Sequence, residues 1–191
     1  MSGCSTGTIS NSDKEEKTMF IELLKKRRSI RQFQDKPVEK EKIDTLVEAM
    51  LRSPSSRSFN PWEFVVVTDP QIIGGLSQAK PHGASFVKNA PLVFVVCADP
   101  AKSDVWVEDC SIAALIVHLE AADLGLGSCW IQICFREHGE EVSSEQYVKK
   151  LLGLRDEMVV EAIVAIGYGS EEKDGHPSSS LLHERVSYIE K

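Results

Sequence analysis

The sequence predicts an α+β fold in which a β-sheet is flanked by helices, and three observations carry that prediction. About five segments with helical periodicity and four or five strand-like segments alternate in mixed order along the chain. Two of the strand-like segments, Leu92 to Ala98 and Val159 to Ile166, are continuous apolar runs, as expected of strands buried on both faces. One helix, Ser111 to Leu124, is apolar around most of its circumference, which suits a central, enclosed position.

The elements follow in order. Residues 1–18 are rich in Ser, Thr, Gly, Lys and Glu and offer little to bury, so a disordered tail is expected, with one domain over 19–191. Structure should begin near Met19, where Phe20, Leu23 and Leu24 share a helical face and the helix runs into Lys25-Lys26-Arg27-Arg28. Ile43, Leu46, Val47, Met50 and Leu51 give a second amphipathic helix, closed by Pro54. Phe64 to Thr68 reads as a strand, and Asp69-Pro70 opens a short helix carrying Ile72, Ile73 and Leu76. Gly125 and Gly127 stop the apolar helix, and Ser128 to Ile133 reads as a strand. Ser143, with Gln146 three residues on, caps a helix reaching Leu152. Leu181, Leu182, Val186, Tyr188 and Ile189 give the last residues something to bury.

Composition excludes several functions. The formal net charge of −7 disfavours nucleic acid and anionic membrane as partners. No apolar run reaches the roughly 18–20 residues of a spanning helix, and no apolar signal-peptide core opens the chain, so a cytoplasmic protein is expected. The five cysteines form no C-x-x-C pair, which favours reduced thiols. The set Cys129, Cys134 and His138 is better read as buried thiols than as a metal site, and His118 as a satisfied core histidine. Gly125-x-Gly127 fails as a dinucleotide loop, because Trp130 stands at the third glycine position and the glycines follow a helix. The chain therefore shows no evident catalytic side chains, a pattern consistent with chemistry carried by a cofactor.

Three segments remain. Arg27-Arg28-Ser29-Ile30-Arg31 reads either as a basic helix end or as a clamp in which guanidinium forks pair with phosphate. Pro54-Ser55-Ser56-Arg57-Ser58-Phe59-Asn60-Pro61-Trp62 is a loop of turn residues and small hydroxyls held against a strand. Gly125-Leu126-Gly127-Ser128-Cys129-Trp130-Ile131-Gln132-Ile133 is a helix stop running into a strand.

In this order and spacing the three segments resemble the nitroreductase family, over roughly residues 19–170. The resemblance implies a three-layer α/β/α sandwich with a mixed, mainly antiparallel sheet, forming an intertwined homodimer with a C-terminal extension. It implies FMN as cofactor, NADH or NADPH as hydride donor, and a small nitroaromatic, quinone or similar acceptor reduced by ping-pong kinetics. Carried over, Arg27, Arg28 and Ser29 meet the FMN phosphate and ribityl chain, and Arg31 approaches the pyrimidine edge and tunes the flavin. Pro54, Ser55, Ser56, Ser58 and Asn60 pack near the ring from the other subunit, and the backbone of Ile131, Gln132 and Ile133 passes flavin N5. No side chain is assigned as catalytic and none as a metal ligand.

Three departures stand out. Ser58 and Asn60 replace an Asn and a Gln of the family loop, and Gln132-Ile133 replaces a frequent Gly-Gly, which brings side chains to the N5 side and narrows the cavity. The late basic pair common in the family is absent from Ser178-Ser179-Ser180-Leu181-Leu182, which leaves the phosphate to the N-terminal arginines with Arg185 as a substitute. The same motifs also allow a same-fold flavoenzyme with dehalogenase or dehydrogenase chemistry, or a flavin-binding protein of low turnover.

Overall fold

The computed structural model describes residues 20–190, and the tail expected over residues 1–18 lies outside them. The chain divides into two compact units. Arg28–Lys173 forms one, and the segments up to Arg27 and from Asp174 onward form the other.

The larger unit is built on four strands: β1 (Trp62–Val67), β2 (Leu92–Ala98), β3 (Gly127–Gln132) and β4 (Val159–Gly167), in spatial order β1-β2-β4-β3. All three pairings are antiparallel, and one isolated parallel bridge, Ser29 to Ser128, adds to the edge of β3. The two runs expected to be buried on both faces are the two central strands, and β2 is buried along its whole length.

Helices cover both faces. α1 (Lys40–Leu51) and α3 (Trp106–Asp123) pack on one, where Leu46, Met50, Ala114 and Val117 meet Phe94, Val96, Val164 and Ile166. α2 (Pro70–Leu76) and α4 (Ser144–Leu152) belong to the other core, where Ile73, Leu76 and Val148 meet Val93, Val95, Ile163 and Ala165. The alternation along each strand sorts side chains between the two cores. The register shifts at Val96/Cys97, where β4 inserts Glu161 between the partners Val160 and Ala162. That bulge puts Val160 into the same core as Ile163, although an unbroken strand would place them on opposite faces.

Local chemistry explains the element ends. The Asp69 side chain accepts the N–H of Gln71 with Pro70 inside the first turn, and Ser143 and Gln146 form a reciprocal capping box. Gly153 ends α4 in the left-handed region (φ 63°).

Several expectations change. β1 begins at Trp62 and not Phe64, because Trp62 already pairs with Ala98. α1 closes at Leu51, and Leu51 itself is exposed. α3 begins at Trp106, five residues before the apolar run, so its first turn carries Glu108 and Asp109. That helix is not enclosed: Ile112 and Leu115 are exposed at 39% and 49%.

In the smaller unit, residues 20–26 are helical and the Arg27 N–H donates to the Leu23 carbonyl at 2.8 Å. Its apolar side chains are largely uncovered, with Phe20 60%, Tyr188 82% and Ile189 99% exposed. Leu181, Leu182 and Val186 are exposed as well, so the apolar surface expected of the C-terminal residues is present and uncovered.

Candidate functional site

The first and third segments meet at the free edge of β3. The Ile30 N–H donates to the Ser128 carbonyl at 2.9 Å, which lays residues 29–31 along the strand. Gly127 makes this possible: a Cβ there would stand 2.8 Å from Ile30 Cγ2. Ser128 is fixed from beneath, because its hydroxyl is hydrogen-bonded to Nδ1 of the buried His118 on α3. His118 is thus the satisfied core histidine expected, and it ties the central helix to this edge.

A second clip holds the same segment from the chain beyond β4. Glu171 Oε1 accepts the N–H of Arg31 at 2.6 Å and that of Gln32 at 3.3 Å. Lys173 Nζ donates to the Ser29 carbonyl at 3.1 Å and to Glu171 Oε1 at 2.9 Å. These bonds hold the Glu171 carboxyl below the usual carboxylate range, the Arg31 N–H contributing most and Lys173 next. Arg31 is exposed, with its guanidinium 5.8 Å from the centre of the Phe86 ring. Arg31 and Lys173 therefore give this corner two cationic groups, with Arg28 and Ser29 next to them in the chain. That donor set suits a phosphorylated cofactor.

Neither Glu171 nor Lys173 was legible in the sequence, since both sit in a polar stretch with no motif. Arg27 belongs to the smaller unit, as does Arg185, which ends an exposed turn at His183–Arg185.

At the far end of β3 the bulky pair behaves differently from expectation. Ile131 and Ile133 are buried core residues, so only their backbone faces the edge. The Gln132 amide is folded away: its Oε1 accepts from Trp130 Nε1 at 3.0 Å, and its Nε2 donates to Glu161 Oε1 at 3.0 Å. Its side chain is therefore turned toward Trp130 and Glu161. Glu161 is buried, and its second carboxyl oxygen has no partner among the described residues. The neighbouring thiol of Cys134 is pushed up to about 11 by burial, with Glu161 next, which keeps it protonated. The four described cysteines are free and buried.

The second segment lies elsewhere. It precedes β1, the opposite edge of the sheet, at the end where Trp62 pairs with Ala98. From Ser128 this is three strand spacings across and at least four residues along, roughly 20 Å. The loop is strained and over-determined. Arg57, Ser58 and Asn60 all have positive φ (53°, 56° and 46°), a costly region for residues other than glycine. Buried Asp109 compensates, taking the Ser56 N–H at 2.8 Å and the Ser103 hydroxyl at 3.1 Å. Ser55 Oγ donates to Asn60 Oδ1 at 2.7 Å and accepts the Asn60 N–H at 2.9 Å, so these two side chains brace each other. Arg57 pairs with Asp104 at 2.5 Å. Strain held this firmly points to a functional loop. Asp109 was invisible in the sequence, because an acid in a helix's first turn is ordinary.

Comparison with known proteins bears on the family and the fold. The Nitroreductase family matches residues 24–82 and 76–168. An FMN-dependent nitroreductase from Clostridium difficile R20291 superposes with a TM-score of 0.87 at 44% identity, covering 90% of this chain and 99% of that one. A protein of Archaeoglobus fulgidus with the provisional name NADH dehydrogenase/NAD(P)H nitroreductase is 35% identical over 158 residues, 81% of this chain and 87% of its own length. An iodotyrosine deiodinase of Thermotoga neapolitana is 22% identical over 193 residues, 86% of this chain and 96% of its own length.

Proposed function

Because this chain belongs to the nitroreductase family of oxidoreductases, we propose that it binds FMN and reduces a small electron-poor acceptor, a nitroaromatic or a quinone, at the expense of NADH or NADPH. The observation that carries this reading is the Ser29–Ser128 bridge, which sets the Arg28–Arg31 segment along β3 with Lys173 beside it. When bound, FMN would supply the hydride chemistry in two half-reactions, donor leaving before acceptor enters.

The chain's own residues bind, orient and tune. Arg28, Ser29 and Lys173 would hold the phosphate, and Arg31 would offer a cation to the ring's pyrimidine edge. A unit charge pair at about 4 Å is worth roughly 4 kcal/mol at an effective dielectric of ~20, before desolvation. Backbone groups of Ile131 to Ile133 would line the reacting side, since their side chains are turned into the core.

The Pro54–Asn60 loop, roughly 20 Å from the clamp within one chain, would serve the clamp of a second copy. A homodimer answers three features together: the remote loop, the exposed Ile112 and Leu115 on α3, and the uncovered apolar residues from Leu181 to Ile189. The last of these would wrap the partner.

The test is the absorption spectrum of purified protein with sedimentation at matched concentrations. A flavin band bleached by NADH or NADPH, stoichiometric with FMN and lost on dilution to monomer, is expected. A colourless dimer that takes up no FMN would sink the cofactor. A flavin-loaded monomer would sink the shared site.

A second reading, reductive dehalogenation of a phenol, is favoured by the deiodinase relative. Turnover of a halophenol ahead of nitrobenzene and benzoquinone in one acceptor screen would select it. No helix among the described residues is long and apolar enough to cross a membrane.

A further inference from the structure

Where β3 ends, the segment after α2 returns to meet it. Lys80 Nζ donates to the Gln132 carbonyl at 3.2 Å, and His138 Nδ1 donates to the Gln78 carbonyl at 2.8 Å. The His138 ring in turn stacks on Tyr147 with centroids 4.0 Å apart. Residues 78–80 are thus tied at two points to the chain leaving β3. That chain turns through the Arg136 N–H, which donates to the Ile133 carbonyl at 3.0 Å.

Lys80 is half-buried, and burial lowers its pKa, with the charge of Arg136 adding to the effect. Among the described residues no carboxylate lies within ion-pair distance of either cation. A half-buried lysine with no carboxylate beside it is out of character in a chain of net charge −7, since burial penalises its charged form. The Gln132 carbonyl uses one of Lys80's three donors and leaves two for a ligand.

We propose that Lys80, supported by Arg136, is a subsite for an oxyanion carried by a molecule that reacts beside β3. The acceptors favoured are then electron-poor aromatics bearing a carboxylate, and the other source of such a group is a phosphate of NAD(P)H. The proposal rests on the flavin reading, which sets the reacting side along Ile131 to Ile133. It adds the recognition chemistry that the apolar Ile131 and Ile133 cannot supply.

The experiment uses FMN-loaded protein. Binding of 4-nitrobenzoate and of uncharged 4-nitrobenzamide to the oxidised form is followed by the shift of the flavin band. KM values for NADPH and NADH are measured with nitrobenzene. Lys80→Met should weaken 4-nitrobenzoate about tenfold, the loss of one charge-assisted hydrogen bond, while 4-nitrobenzamide stays within about twofold. Lys80→Arg should recover most of the difference, and Arg136→Met should cost about threefold. If the selective loss falls on NADPH relative to NADH, the oxyanion is the donor's phosphate and the subsite stands. Equal weakening of all four ligands, or none, in variants that keep full FMN overturns it. Wild-type protein that takes up no FMN would overturn the flavin reading itself.

Discussion

The two corners of the sheet that carry the candidate site are built on opposite principles. At the Ser-rich loop the backbone is strained, and the strain is offset by the Ser55–Asn60 pair within the loop and by two acids of one other segment, Asp104 and Asp109 at the start of α3. At the β3 edge the backbone of residues 29–31 is held by partners far away in sequence: Ser128, Glu171 and Lys173. The loop is a rigid object braced by itself and by a single other segment, residues 103–109. The clamp is an assembled object that exists only when three separate segments meet. A rigid loop can be presented to another chain, whereas an assembled clamp stays with its own sheet. This division is what a site shared between two copies requires.

Asp109→Ala tests the loop side and should have the largest effect. It leaves the Ser56 N–H and the Ser103 hydroxyl without their charged acceptor, at about 2–3 kcal/mol, which for a chain of this size lowers Tm by roughly 5–10 °C. A Tm within about 1 °C of the parent would show that the loop's strain is offset elsewhere.

Gly127→Ala tests the clamp side. The new Cβ meets Ile30 Cγ2 at 2.8 Å and pushes the clamp from β3, at about 1–3 kcal/mol. FMN affinity should fall about tenfold, and Ile30→Gly in the same chain, which also removes the Ile30 Cβ at 2.9 Å, should restore it. Failure of that rescue in isothermal titration would place the damage outside the clamp.

Arg31→Ala should act on the ring and spare the phosphate. The flavin midpoint potential should fall by some tens of millivolts, about 30 mV for each 1.4 kcal/mol of lost charge stabilisation. An unchanged potential in fully loaded protein would remove Arg31 from that role.

The smallest effect is expected from Glu171→Gln, and it is pH-dependent. The folded-state pKa of Glu171 is lowered, so its contribution is fully present above the ordinary carboxylate value near 4.5 and is lost as pH falls through the lower folded value. Parent and variant should therefore differ in stability at neutral pH and converge in acid, as urea titrations at pH 7 and pH 3 would show. A constant gap at both pH values would mean that the carboxylate charge plays no part.

Much of the fold was legible because it rests on local periodicity. The apolar run Leu92–Ala98 gave β2 with its bounds, and the Ser143–Gln146 pair gave the start of α4. The expected central helix was placed five residues late, because its first turn is polar and its anchoring acid faces the loop before β1 and not the apolar core. The candidate site was legible only as three motifs. Their order suggested a shared ligand, but the bonds of the Gln132 amide to Trp130 and Glu161 have no signal in the sequence.

The sequence by itself determined the layers, the two buried central strands and the residue types able to hold a phosphate. It did so because hydrophobic period, caps and charge are properties of neighbouring residues. Only the tertiary structure decided which motifs share an edge, that Lys173, Glu171 and Asp109 support them, and that Lys80 returns to the end of β3. Those relations depend on contacts between residues up to 144 positions apart, which no local pattern encodes.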